Sequence, residues 1–177
     1  MTRRDEAIDA AERILEREGL EAVTMRRLAE EVGIRAPSLY KHLASKAEIL
    51  GGLQERALVR LAAALSAADG DLTGLARAYR QWALSHPRLY ELSARYPIDR
   101  GRLTPGVENA AAAPLIRAAG GDIDAARALW GLAHGLVDLE LAGRFPPGAD
   151  IAAAWDYAIR AVGKYSPSPP HHSPPPP

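Results

Sequence analysis

Apolar side chains recur three and four residues apart along most of this chain, and that spacing most constrains its fold. Such a stripe places apolar residues on one face of an α-helix. The first stripe lies within residues 5–18 and consists of Ile8, Ala11, Ile14 and Leu15. Ala and Leu are frequent, β-branched residues are sparse and Phe occurs once. We therefore expect an all-α fold without an extensive sheet.

Residues that begin and end helices divide this pattern into about nine helices. The side chains expected to cap helix N-termini are those of Thr24, Ser45, Asp122 and Asp150. Gly33 ends the second helix, and Pro37 fits the first turn of a third helix that we expect to continue through residue 42. Ser45 and Glu48 predict a reciprocal capping box at the fourth helix. Gly51 and Gly52 lie inside that helix and weaken it by about 1 kcal/mol each relative to Ala.

The composition limits the kinds of partner and site. The 22 basic and 22 acidic residues give a net charge of +0, so any basic surface must be local. The absence of Cys excludes a disulfide and a thiolate metal site, and we expect neither a metal nor a cofactor. No apolar run of about 18 residues predicts a membrane span, and the charged, amphipathic start is unlike a signal peptide. We expect a cytoplasmic protein without membrane contact.

Residues 24–42 have the proportions of a helix-turn-helix, with two short helices around a Gly-containing turn. Between Thr24 and Lys46, five basic residues stand against Glu30 and Glu31, an excess of three positive charges. The five are Arg26, Arg27, Arg35, Lys41 and Lys46. Charged residues on short helices are usually a solvated face, but a local basic excess in a neutral chain favours DNA binding.

The segment TMRRLAEEVGIRAPSLYKHLASKAEIL resembles the signature of the TetR family of transcriptional regulators. The matching positions are Thr24, Leu28, Ala29, Gly33, Leu39, Tyr40, His42 and Lys46. Leu43 departs from the usual Phe, which should change packing under the recognition helix. Arg35 replaces a small capping residue. Further along, HPRLYELSARYP and WGLAHG are similar to a C-terminal subgroup of the family named for Trp, His and Gly.

The resemblance implies a ligand-responsive repressor that binds a palindromic operator in double-stranded DNA as a homodimer. It also implies dimerisation through the last two helices. We expect a three-helix, helix-turn-helix DNA-binding domain over residues 1–46 and a helical ligand-binding and dimerisation domain over residues 47–165. Residues 166–177 are rich in Pro, and we expect them to be disordered.

Carried onto this chain, the family pattern divides the candidate DNA contacts into two sets. The residues expected to face bases or the groove wall are Arg35, Ala36, Pro37, Ser38, Lys41 and His42, with Arg35 or Lys41 best suited to guanine. The residues expected to contact phosphate are Thr24, Arg26, Tyr40 and Lys46.

The candidate ligand-binding residues are Tyr79, Trp82, Tyr96, Trp130 and His134. They suit a small, mostly apolar effector with one polar group, although aromatic residues at helical spacing more often fill a core. His134 fits either a ligand pocket or a hydrogen-bonded core position. We expect the glycine-softened fourth helix to act as the lever between the two domains.

Two other functions remain as alternatives at this point. A helical-bundle enzyme is one, although the chain has no HExxH motif, no phosphate loop of the GxxxxGK type and no paired Glu-x-x-His motif. A helical adaptor that has lost DNA binding is the other, and the retained Arg26, Tyr40, Lys41 and Lys46 argue against it. We expect a regulator and not an enzyme.

Overall fold

A computed structural model describes residues 2–68 and 70–163. Within these ranges the chain forms nine α-helices and no strand, which confirms the all-α prediction. The helices are α1 (Arg3–Glu18), α2 (Met25–Val32), α3 (Ala36–Leu39), α4 (Lys46–Ser66), α5 (Leu72–Ser85), α6 (Pro87–Arg95), α7 (Val107–Ala118), α8 (Ile123–Leu141) and α9 (Ile151–Gly163). Short 3₁₀ turns occupy Leu20–Ala22 and Arg100–Arg102. The Pro-rich residues 166–177, which we expect to be disordered, lie outside the described residues.

The predicted N-caps form where the sequence placed them. Thr24 Oγ1 accepts a hydrogen bond from the Arg27 amide at 3.1 Å, and Asp122 and Asp150 carboxylates accept in the same way at α8 and α9. Gly33 ends α2 at a φ of 74°, a left-handed conformation that favours glycine. These local signals hold because each depends on residues within one helical turn.

One predicted helix end and one predicted helix cap differ from the structure. The α-helical hydrogen bonding of α3 ends at Leu39, and residues 40–42 continue as turns because the His42 amide donates to the Leu39 carbonyl at 2.9 Å. At α4, Ser45 Oγ accepts from the Glu48 amide, but the Glu48 carboxylate accepts from the Ala44 amide instead of that of Ser45. The predicted capping box is therefore only half formed.

Gly52 of α4 has a packing role that its position in the sequence did not reveal. A Cβ atom on Gly52 would lie 2.5 Å from Ile8 Cδ1 on α1, so glycine lets the two helices approach closely. On Gly51 a Cβ would lie 3.4 Å from Arg102 side-chain atoms, an ordinary contact. Gly52 therefore fixes α4 against α1, where the sequence had suggested only softening.

Ion pairs and a shared core hold α1 beside α4. Arg56 pairs with Asp9 and with Glu12, and Arg60 pairs with Glu12 at 2.5 Å. The buried core extends without a break from α1 and α4 to α5, α6, α8 and α9. In the part of the chain that the structure describes, no helix is long and apolar enough to cross a bilayer.

Candidate functional site

Helix α3 and the turns that follow it are held against the N-terminal core by buried leucine side chains. Leu39 and Leu43 are buried, together with Leu28 of α2 and Val23 before it. Leu43 therefore takes part in the packing under α3. Arg35 precedes α3 without a side-chain capping bond, as its sequence position also predicted.

The opposite side of this unit carries the candidate DNA contacts. Ala36 is half-buried, whereas the other nine candidates are exposed: Thr24, Arg26, Arg35, Pro37, Ser38, Tyr40, Lys41, His42 and Lys46. The Tyr40 ring is 51% exposed although Leu39 beside it is buried. The structure thus brings the sequence-predicted residues to an accessible surface that consists of α3, the N-terminus of α2 and the N-terminus of α4.

Arg27 is half-buried and does not belong to that exposed surface. Its guanidinium pairs with Glu18 at 2.8 Å and with Glu31 at 2.9 Å, and Arg17 also pairs with Glu31. The hydrogen bond from Arg27 lowers the pKa of Glu18, and the bond from Arg17 lowers the pKa of Glu31. Arg27 therefore ties α2 to α1. Because Glu31 is neutralised together with it, the other charged residues between Thr24 and Lys46 keep the excess of three positive charges.

An aromatic cluster lies between α5, α6 and α8. Tyr79, Trp82 and Tyr90 are buried, and the Tyr90 ring meets the other two edge-on at centroid distances of 6.3 and 6.2 Å. The Tyr90 hydroxyl and His134 Nδ1 share a hydrogen bond of 2.6 Å. The ring centroids of Trp130 and His134 are 6.2 Å apart, and Trp130 is 54% exposed. We call these five residues the aromatic cluster.

Four of the five predicted ligand-binding residues belong to this cluster, and Tyr96 does not. Tyr96 follows α6 and is exposed; with Leu15, Leu20 and Arg88 it lines a separate cleft of about 250 Å³ beside α1. Tyr90 was one of the aromatic residues that the sequence offered for a pocket, but it was not among the five predicted ligand-binding residues. The structure adds it to the cluster through its contacts with Tyr79, Trp82 and His134.

The hydroxyl groups of the cluster stay neutral at ordinary pH. Burial raises the pKa of Tyr79 to about 12, opposed by hydrogen bonding from Trp130 and Tyr90. Burial also raises the pKa of Tyr90. The cluster can therefore offer hydroxyl and imidazole hydrogen bonds beside apolar rings, without a tyrosinate charge.

The last two helices expose apolar groups. Leu132 and Leu139 of α8 and Tyr157 of α9 are exposed, Tyr157 to 71%. A Cβ added to Gly131 or Gly135 would meet nothing within 4 Å, so packing within one chain does not require glycine at either position. We call these five residues the α8–α9 outer surface.

Comparison with known proteins assigns both halves of the chain. Residues 7–53 match the model for bacterial regulatory proteins of the tetR family, and residues 72–162 match the tetracyclin repressor-like C-terminal domain. The chain is 29% identical over 154 residues to the uncharacterized HTH-type transcriptional regulator Rv0681 of Mycobacterium tuberculosis, covering 79% of this chain and 71% of that protein. It is 28% identical over 170 residues to the uncharacterized HTH-type transcriptional regulator YobS of Bacillus subtilis, covering 86% of each.

A solved structure agrees over nearly the whole length. The putative regulatory protein SCO4313 superposes with a TM-score of 0.74 at 26% identity, covering 90% of this chain and 94% of that one. The two family models, the helix-turn-helix at α2 and α3 and this superposition agree from one end of the described chain to the other. The chain belongs to the TetR family of bacterial transcriptional regulators.

Proposed function

We propose that this regulator is a ligand-responsive repressor that binds a near-palindromic operator as a homodimer and carries no catalytic site. The single observation that carries the DNA-binding part is the exposed polar surface around α3, held from behind by buried Leu39 and Leu43. A helix fixed in this way can enter a major groove without rearranging its own core.

Within that surface we assign two kinds of DNA contact. Lys46 and Tyr40, with Thr24 and Arg26, contact phosphate, and Lys46 does so from the first turn of α4, where free amides also favour an anion. Arg35 and the side chains of residues 36–38, 41 and 42 face the groove, where Arg35 or Lys41 suits guanine.

Dimerisation is assigned to the α8–α9 outer surface. A partner subunit would bury the exposed apolar side chains of Leu132, Leu139 and Tyr157. The open space at Gly131 and Gly135 suits close approach of a second helix. A two-fold dimer then presents two α3 helices to half-sites about one helical turn, or somewhat more, apart.

The effector is assigned to the aromatic cluster. Its apolar rings and the Tyr90–His134 hydrogen bond suit a mostly apolar molecule with one polar group. By linkage, an effector that weakens operator binding must itself bind more weakly in the presence of operator, by the same factor. Titration of a compound by Trp fluorescence with and without operator measures this reciprocity.

We place the end of the DNA-binding domain at Lys46 and the ligand-binding and dimerisation domain over residues 47–165. Helix α4 begins at the boundary and packs on α1 as well as on the C-terminal helices. It therefore joins the two domains as one rigid element.

The decisive experiment replaces Lys46 by Ala and measures binding to a duplex that the wild-type protein selects from random-sequence DNA. If Lys46 of each protomer neutralises one phosphate, the variant dimer loses two such contacts, and the slope of log Kd against log salt falls by about two units. Arg77→Ala removes one exposed positive charge from α5 and should leave the slope unchanged. Failure of the wild-type protein to select any duplex contradicts the DNA-binding proposal, and an unchanged slope for Lys46→Ala removes Lys46 from it.

A further inference from the structure

The first turn of α6 receives its cap from a distant helix. His86 precedes α6 without a side-chain capping bond, and Pro87 occupies its first position. The Glu16 carboxylate on α1 accepts hydrogen bonds from the backbone amides of Leu89, at 2.9 Å, and Arg88, at 3.4 Å. A side chain of the DNA-binding domain therefore satisfies two amides that this helix would otherwise leave without a partner.

The surroundings of this contact hold it in place. Leu15, which precedes Glu16 on α1, and Leu92 of α6 are both buried. Gly19, one turn after Glu16, has a φ of 91°, and a Cβ there would lie 2.6 Å from Arg88 Nη1. The left-handed φ favours glycine at this position, where the end of α1 lies close to the exposed Arg88 side chain at the start of α6.

Each end of the contact leads to one of the two proposed sites. On the α6 side, Leu89 is followed by Tyr90, whose hydroxyl bonds to His134 in the aromatic cluster. On the α1 side, the last turn pairs with α2 through Glu18–Arg27 and Arg17–Glu31. A continuous series of contacts thus runs from the cluster to the helix-turn-helix without passing through α4.

We propose that Glu16 is a positioning residue that couples the effector region to the DNA-binding surface, an inference that rests on the proposed function. A molecule that displaces the Tyr90–His134 pair moves the first turn of α6. That turn then either carries α1 with it through Glu16 or loses its cap. In both cases the arrangement of α1 and α2 that suits DNA becomes less favourable, which is the differential free energy that coupling between sites requires.

Hydrogen exchange of the full-length protein tests this role without an effector. Because coupling is reciprocal, operator binding should protect residues 87–95 as well as residues 24–43. In the wild-type protein we expect about tenfold slower exchange at residues 87–95 on adding saturating selected duplex, and in Glu16→Ala less than twofold. Protection at residues 24–43, which reports binding itself, should persist in the variant.

Glu91→Ala is the matched control. It removes an exposed carboxylate from α6, and in the described structure that carboxylate pairs only with Arg95. It should keep the wild-type protection at residues 87–95. Glu16→Gln, which retains one carbonyl acceptor, should give an intermediate value and replaces Glu16→Ala if that variant does not fold.

The outcomes separate this proposal from the proposed function. Equal operator-induced protection of residues 87–95 in the wild-type and both Glu16 variants would show that Glu16 is only a structural cap. Absence of that protection in the wild-type protein, with residues 24–43 protected, would also overturn the coupling. If no duplex protects residues 24–43, DNA binding itself fails.

Discussion

Gly51 and Gly52 are neighbours in α4, yet replacing Gly51 with Ala should leave the protein more stable than replacing Gly52 with Ala. A Cβ at Gly52 would lie 2.5 Å from Ile8 Cδ1 and 3.0 Å from Cγ1, and the Ile8 side chain is buried at 2% exposure. At Gly51 the nearest atoms are Arg102 Cβ and Cδ, both at 3.4 Å, in a side chain that is partly exposed and able to move.

The magnitudes follow from two opposing effects. Ala in place of Gly in a helix contributes about 1 kcal/mol of stability through lower backbone entropy and better propensity. Overpacking a methyl group against a fixed core side chain costs about 1–3 kcal/mol. Gly51→Ala should therefore stabilise the protein by up to about 1 kcal/mol, whereas Gly52→Ala should range from neutral to about 2 kcal/mol destabilising.

Urea unfolding followed by far-ultraviolet circular dichroism, at one fixed protein concentration, measures both variants. With a slope near 2 kcal/mol per molar urea, a 2 kcal/mol difference separates the two midpoints by about 1 M. If Gly52→Ala is as stable as Gly51→Ala, the close approach of α1 and α4 does not limit packing. Gly52 would then return to the role of a softening residue that its sequence position suggested.

Three further predictions concern other parts of the molecule. Gly131→Arg should convert the dimer to a folded monomer by light scattering with unchanged helicity, because its side chain meets open space within one chain; a variant that stays dimeric moves the interface elsewhere. Tyr90→Phe should lower the free energy of unfolding by about 1 kcal/mol in urea, since it removes the hydrogen bond to His134, and no loss would show that the bond adds no net stability. Because the folded protein lowers the pKa values of Glu18 and Glu31, their ion pairs stabilise it fully at pH values above the ordinary pKa of 4.5, and this stability is lost as the pH falls through the lowered pKa values. The urea midpoint should therefore fall over that acidic range, and it should fall less in Glu31→Gln. An identical pH profile for Glu31→Gln would exclude Glu31 from that loss.

The helix ends and the buried stripes could be predicted because each depends on neighbouring residues. Thr24 caps α2 through an amide three residues away, and Gly33 ends that helix through its own backbone conformation. The DNA-contact candidates also came from the sequence, since the family motif fixes which residues of one short segment face outward. Where the local rule had two acceptable partners, as at Glu48, the sequence did not decide between the amides of Ser45 and Ala44.

Contacts that join distant segments lay beyond such rules. Arg27 looked like one of five available positive charges, and only the packing of α1 on α2 shows that Glu18 and Glu31 neutralise it. Glu16 looked like one more solvated charge on α1, although its partners lie 72 and 73 residues away. The sequence was enough to predict most residues of both proposed sites. It could not predict the contact between them, because a periodic pattern shows which face of a helix is buried but not which helix packs against it. Helix α4 was the only link that chain continuity suggested, whereas the contact of Glu16 with α6 gives the fold a second one that does not follow the chain.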